Sequence, residues 1–159
     1  LAAANSAAVE AVIDSVAIVL TPGWNLISLP VNPIVNAPQD VFTLPQQSIV
    51  IGEVLGFKDG EYVAIEEMAA NEGYWVYLPG DSARSFAITG TVPSSAQVQA
   101  GWNLIGVSAP AAVPDTINRS AVQSFADGVY SGLDAADPFP LKPNVGYWIH
   151  ADFPQTISW

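Results

Sequence analysis

The chain contains no cysteine among its 159 residues and only four lysines and arginines. Without cysteine it can form neither a disulfide framework nor a thiolate metal site. Fifteen acidic residues against four bases give a formal net charge of −11, which repels nucleic acid and anionic membranes. The longest apolar run, Val16-Ala17-Ile18-Val19-Leu20, is far shorter than the roughly 20 residues of a membrane-spanning helix. We therefore expect no nucleic-acid partner and no membrane insertion.

Motifs that identify a reaction are also missing. His150 is the only histidine, and it aligns with Tyr77, which indicates a tolerated substitution at a half-buried aromatic position. There is no Gly-x-Ser-x-Gly nucleophile motif and no glycine-rich phosphate loop. Asp134 and Asp137 lie close together, but no EF-hand series surrounds them. The sequence thus predicts a non-enzyme with no catalytic residue, no cofactor and no metal ligand.

The main feature that is present is an internal repeat. Three motifs return in the same order, and a repeat of this kind decides the architecture before any local pattern does. The three pairs are Gly23–Ile27 with Gly101–Ile105, Phe57–Tyr62 with Phe125–Tyr130, and Gly73–Val76 with Gly146–Ile149.

Short β-branched and aromatic runs within each copy are separated by proline, glycine and Asp-Gly turns. Asp-Gly between two such runs is a strong hairpin signal, so strands are expected over residues 49–57 and 62–65 around the first turn. About five strands per copy predict an all-β fold of two tandem β-sandwich or barrel-like repeats. The expected divisions are an apolar arm at 1–15, a first repeat at 16–92 and a second at 93–159.

The tryptophans allow two interpretations. Trp24, Trp75, Trp102 and Trp148 recur in both copies, which favours packing within or between sheets. Exposed tryptophans also stack on sugar rings in carbohydrate-binding modules, so carbohydrate remains a possible partner. Trp159 is unpaired, and it is expected to contact either another molecule or its own domain.

The N-terminal arm suggests strand donation between subunits. Its periodicity fits a helix or a strand equally well, and in either form it presents apolar side chains outside the repeat. A protruding strand can complete the sheet of the next subunit, and a contact that does not close on itself builds a filament. The candidate donor segment is residues 7–20. The residues proposed for self-assembly are Val9, Val12, Ile13, Val16, Ile18 and Trp159.

Several features point to the outside of a cell. The chain opens at Leu1, as would either a protein whose secretion signal was removed or a trimmed fragment, and we expect the former. Asn118-Arg119-Ser120 is the only N-glycosylation sequon, so Asn118 is a glycosylation candidate. The segments Pro22–Pro30 and Gly73–Val76 resemble a repeat found in secreted and cell-surface proteins of bacteria and archaea. The second copy departs from this pattern at Gly106 and Val107, where the first has Ser28 and Leu29.

Two functions follow as hypotheses. The first is an extracellular structural protein that polymerises with copies of itself into a pilus-like filament or surface lattice. The second is a carbohydrate-binding or adhesion module of a larger cell-surface protein, for which an exposed, coplanar tryptophan pair would be favourable.

Overall fold

The computed structural model describes residues 12–43 and 51–159. This part of the chain is mostly β-structure, which confirms the predicted all-β class. One short α-helix, α1 (Pro38–Val41), and one 3₁₀ turn, Arg119–Ala121, interrupt it. The strands are β1 (Ile13–Leu20), β2 (Gly23–Ser28), β3 (Asn32–Pro33), β4 (Leu55–Lys58), β5 (Glu61–Ala64), β6 (Gly73–Leu78), β7 (Arg84–Thr91), β8 (Ser95–Val98), β9 (Gly101–Ile105), β10 (Gln123–Ala126), β11 (Val129–Gly132), β12 (Tyr147–Ala151) and β13 (Gln155–Ser158).

The strands form four sheets, in which every assigned strand pair is antiparallel. The first half, residues 12–92, contributes a four-stranded sheet of order β2-β6-β4-β5 and a three-stranded sheet of order β1-β7-β3. The second half, residues 93–159, contributes a four-stranded sheet of order β9-β12-β10-β11 and the pair β8-β13. The two four-stranded sheets thus place strands that carry the recurring motifs in the same order.

Each half buries its own hydrophobic side chains. Tyr74, Phe86 and Phe42 are among the largest members of the first core, while Leu141 and Tyr147 belong to the second. The two clusters share no residue. Burial of apolar surface stabilises each cluster, and at about 25 cal/mol per Å² it is the dominant favourable term in folding.

The two Asp-Gly turns adopt the backbone that their residues favour. Asp59 and Gly60 have φ angles of 52° and 81°, and Asp127 and Gly128 have 53° and 78°. Two successive positive φ values are typical of the type I′ turn, whose twist matches that of the flanking strands. Both predicted hairpins are therefore confirmed.

The expected start of the first hairpin strand was wrong. The strand begins at Leu55, and no strand is assigned over residues 51–54; residues 44–50 lie outside the described part. Ile51 and Val54 are nevertheless buried in the first core. The apolar residues at these positions are therefore buried without forming a paired strand.

The end of the predicted arm is already part of the fold. β1 pairs along its full length with β7, from Ile13 opposite Thr91 to Leu20 opposite Arg84. Residues 13–15, which were assigned to the arm, therefore form the beginning of an ordinary sheet strand. Residues 1–11 lie outside the described part of the chain.

The connection after β2 contains structure that the sequence did not signal. β3 pairs with the end of β7, where Pro33 lies opposite Gly90. A Cβ at Gly90 would overlap the Asn32 carbonyl group, so the close approach of β3 requires glycine there. Within the described ranges, no helix is both long enough and apolar enough to cross a membrane.

Candidate functional site: the contact between the two halves

The Gly-Trp-Asn-Leu-Ile motif forms a corner in each half. Gly23 and Gly101 have φ angles of 92° and 93°, a region that glycine enters without steric cost. The Asn25 amide closes the first corner: its Oδ1 accepts from Thr21 N at 2.9 Å and its Nδ2 donates to Thr21 O at 2.8 Å. Asn103 makes the same pair of bonds with the Gln99 backbone, both at 2.8 Å. The motif therefore encodes a turn and leaves the tryptophan beside it outside the core.

The Gly-Tyr-Trp motif places glycine against the opposite half. A Cβ at Gly73 would lie 2.5 Å from Leu104 Cγ, and one at Gly146 would lie 2.8 Å from the Ile27 carbonyl oxygen. Such separations leave no room for any other residue without displacement of a neighbour. Leu26 and Leu104 are buried but belong to neither core, which indicates that they lie between the halves.

The tyrosine of the same motif is buried and hydrogen-bonded. Tyr74 Oη accepts from Ala69 N at 2.8 Å and donates to Glu72 Oε2 at 2.8 Å, while Tyr147 Oη accepts from Lys142 N at 2.9 Å. Burial raises the pKa of Tyr74 far above its usual range, and proximity to the Glu72 carboxylate adds to the increase. Burial likewise raises the pKa of Tyr147. Both phenols therefore stay neutral and act as hydrogen-bonding groups inside the fold.

Backbone hydrogen bonds join the halves at two matching places. Gly106 N donates to Asn71 O at 3.0 Å, and Ser28 N donates to Asn144 O at 3.3 Å. Asn71 and Asn144 both have positive φ angles, of 66° and 71°. Asparagine tolerates this conformation better than most residues. The contact is therefore approximately reciprocal, with each half donating to the other.

Aromatic side chains extend this reciprocity. Trp148 of the second half contacts Phe57 of the first, with ring centroids 4.8 Å apart, while Trp75 contacts Phe125 at 4.9 Å. The tyrosine across each hairpin contributes as well, since Tyr62 lies 6.1 Å from Trp148 and Tyr130 lies 6.4 Å from Trp75. Each hairpin thus packs on the tryptophan of the opposite half, which agrees with the predicted packing between sheets for Trp75 and Trp148.

Trp24 and Trp102 differ from this pair because they remain 48% and 52% exposed. Trp24 meets Trp75 and Trp102 meets Trp148 in edge-to-face geometry, with interplanar angles of 87° and 84°. These contacting rings are therefore not coplanar. His150 lies beside Trp102 just as Tyr77 lies beside Trp24, with centroid distances of 5.3 Å in both halves. This equivalence agrees with the interpretation of His150 as a replaced aromatic residue.

Two concavities adjoin this contact. The smaller one, of about 290 Å³, is apolar and is lined by Trp24, Leu55, Tyr62, Trp75 and Phe125. The larger one, of about 870 Å³, is called here the inter-half cleft. It lies between the β4–β5 hairpin, residues 71–73 and the segment 97–105. Its lining is mixed, with aromatic rings beside amide and carboxylate groups.

The residues predicted for self-assembly are not gathered into one site. Val12 and Ile13 are exposed, Val16 is half-buried, and Ile18 is 1% exposed within the core of its own chain. Ile18 is therefore unavailable as an anchor for a neighbour in this conformation. Val9 lies outside the described residues.

The remaining sequence candidates have local roles. Trp159 contacts its own chain, because its indole Nε1 donates to Pro93 O at 3.1 Å and its ring packs on the second core. Asn118 is exposed, and its Oδ1 caps the 3₁₀ turn by accepting from Ser120 N at 3.1 Å.

The acidic loop pair is engaged by basic side chains. Lys142 Nζ lies 2.7 Å from Asp137 Oδ2 and holds the pKa of that carboxyl below its ordinary value. Arg119 donates to the carbonyl oxygens of Asp134 and Asp137. Over residues 12–43 and 51–159, no three His, Cys, Asp or Glu side chains are grouped closely enough to hold a metal ion.

No protein-family model, curated protein or solved structure matches this chain. The resemblance to secreted and cell-surface repeats therefore stays a prediction.

Proposed function

We propose that the chain is a non-enzymatic structural protein of the cell exterior, built of two tandem repeats, which self-assembles into a pilus-like filament or surface lattice. The observation that carries this proposal is the outer face of β1. This strand lies at the edge of its sheet, and Ile13 and Val19 on its outward side are 65% and 59% exposed. An edge strand with exposed apolar side chains offers a template for another strand.

The two-repeat architecture is supported by the equal strand order of the two four-stranded sheets and by the reciprocal hydrogen bonds between the halves. Placement outside the cell is supported by the small number of basic residues, four in all, and by the resemblance of the repeat motifs to secreted and cell-surface repeats. None of these features requires a catalytic group.

In this proposal, one subunit is joined to the next by the arm residues that precede β1 and by the exposed side of β1. Val16 and Ile18 occupy inward positions within their own sheet, so release of β1 would expose the first core. A head-to-tail contact through the preceding residues would leave that core intact. A head-to-tail contact extends into a filament when its rotation does not close into a ring, and an open filament is the arrangement proposed here.

Electron microscopy of negatively stained samples tests the proposal directly. The full chain is compared with a version lacking residues 1–11 and with the double variant I13K/V19K. The control is I34K, because Ile34 is also exposed, at 71%, but lies outside β1. We expect fibres from the full chain and the control, and none from the other two. Monomers in every sample at high concentration would reject self-assembly.

A second candidate, a carbohydrate-binding or adhesion module, is favoured by the half-exposed Trp24 and Trp102. The edge-to-face geometry within each half does not provide the coplanar pair that this interpretation would favour most. A single tryptophan face beside polar groups is sufficient to hold one sugar ring, so this candidate depends on the groups around each tryptophan.

A further inference from the structure

We infer that the inter-half cleft binds a neutral, hydroxyl-rich chain such as a polysaccharide. The inference develops the carbohydrate-binding candidate and is independent of filament formation. The cleft has a volume of about 870 Å³, which lies within the range of about 300–1,000 Å³ that is typical of ligand sites. Like the small apolar pocket, it is lined by residues of both halves.

Trp102 supplies an apolar platform in this cleft. Its ring is held by edge contacts with Trp148 and His150, at centroid distances of 6.3 and 5.3 Å, yet half of the side chain stays exposed. A rigid exposed tryptophan offers a large contact area at little conformational cost. Sugar rings have an apolar face of C–H groups that fits such a platform. Phe57 adds a second ring to the lining.

Polar groups surround the platform and suit hydroxyl partners. Gln97 and Gln99 line the cleft from the second half, and Asn71 and Glu72 line it from the first. The carboxamides both donate and accept hydrogen bonds, as a sugar hydroxyl does. Gln97 Oε1 already accepts from Thr156 Oγ1 at 3.0 Å, which limits the freedom of this side chain. A ligand that both donates and accepts is therefore better matched than a purely apolar one.

The charge of the cleft excludes anionic ligands. Asp59 and Glu72 line it with Lys58 as the only base among the lining residues, and the whole chain carries −11. An acidic polysaccharide or a phosphate would meet net repulsion, because like charges gathered on one surface oppose the approach of an anion. A neutral sugar chain carries no such penalty.

Trp24 provides the matched control for Trp102. It occupies the equivalent position of the first half and is exposed to a similar degree, but it lines the small apolar pocket and not the inter-half cleft. Loss of Trp102 should therefore weaken binding strongly, while loss of Trp24 should change it little. Any general effect of removing a half-exposed tryptophan would appear in both variants.

The test is native gel electrophoresis of the full chain in gels that contain a soluble β-glucan, xylan, mannan or galactan, with alginate as an acidic comparison. We expect retardation by at least one neutral polymer, with the Kd rising about tenfold or more in W102A and by less than about twofold in W24A. The variant W102Y keeps an aromatic ring and should retain most of the affinity. It therefore tests the platform even if W102A fails to fold.

Three results would overturn the inference: migration unchanged by every neutral polymer, an equal loss in W24A, or retardation by alginate alone. Polysaccharide binding in the gels is independent of fibre formation in electron microscopy, because a filament protein can either bind or not bind a polysaccharide without any change in its fibres. A negative result here would therefore leave the self-assembly proposal standing on its own test.

Discussion

Ser28 and Gly106 occupy corresponding positions of the two halves and meet where there is room for only one side chain. Ser28 is fully buried, and its Oγ donates to Val145 O at 2.8 Å across the contact. A Cβ at Gly106 would overlap the Ser28 Cβ and Oγ atoms. The difference between the two halves at this position is therefore required by their close approach.

Adding a methyl group at Gly106 should destabilise the fold through this overlap. We expect G106A to lower the free energy of unfolding by about 1–3 kcal/mol, the usual cost of overpacking a tight contact. The φ angle of Gly106 is not in the left-handed region, so backbone strain does not contribute. Urea unfolding followed by tryptophan fluorescence measures the effect.

The double variant S28G/G106A distinguishes overlap from other causes. Removal of the Ser28 side chain makes room for the new methyl group, so the double variant should be less destabilised than the sum of the two single variants by about 1 kcal/mol or more. Strict additivity of the two changes would show that the side chains do not meet.

Asn25 should contribute more to stability than its counterpart Asn103. Its amide closes the corner and also donates to Val76 O at 3.3 Å, and the side chain is buried. Asn103 makes the equivalent bonds but is only half-buried. We expect a loss of about 2–3 kcal/mol for N25A and about 1 kcal/mol for N103A, because an unsatisfied buried group costs more. Thermal unfolding by circular dichroism would reveal the order, and a reversed order would contradict this account.

Stability should fall in alkaline solution because Tyr74 and Tyr147 are held neutral. Both have folded-state pKa values above the ordinary value of 10. Their contribution is fully present below that pH and is lost as the pH rises above it, since the unfolded chain then releases protons that the folded one retains. Titration at 295 nm should show that two of the five tyrosines ionise only as the chain unfolds.

The variants Y74F and Y147F assign these two tyrosines. Each should remove one of the late-ionising groups, because burial raises the pKa of both side chains. Ionisation of all five tyrosines in the folded protein near pH 10 would refute the role given to burial.

Phe125 should stabilise the contact between the halves. It packs on Trp75 and Tyr130, whereas Phe139 is exposed. We expect F125A to cost about 1–2 kcal/mol, since the ring is half-buried and makes two aromatic contacts. The control F139A should change the unfolding free energy by less than about 0.5 kcal/mol. Equal effects in denaturant titrations would argue against the reciprocal packing of the hairpins.

Local chemistry made the two hairpins predictable from the sequence. Asp59-Gly60 and Asp127-Gly128 favour a turn whatever lies around them, and the all-β class followed from such turns between β-branched runs. The strand predicted over residues 49–57 begins only at Leu55, because an apolar run indicates burial and does not by itself indicate strand pairing. β3 was missed because two residues carry no periodic pattern.

The sequence by itself determined the strands that carry the motifs, their turns, the absence of thiols and the small number of basic side chains. Each of these depends on residue type or on neighbours within a few positions. Only the tertiary structure decided that Gly73, Gly106 and Gly146 face the opposite half, that Trp102 lines a cleft while Trp24 does not, and that Ile18 serves its own core. These relationships join residues far apart in the chain, and only packing in three dimensions sets which of them meet.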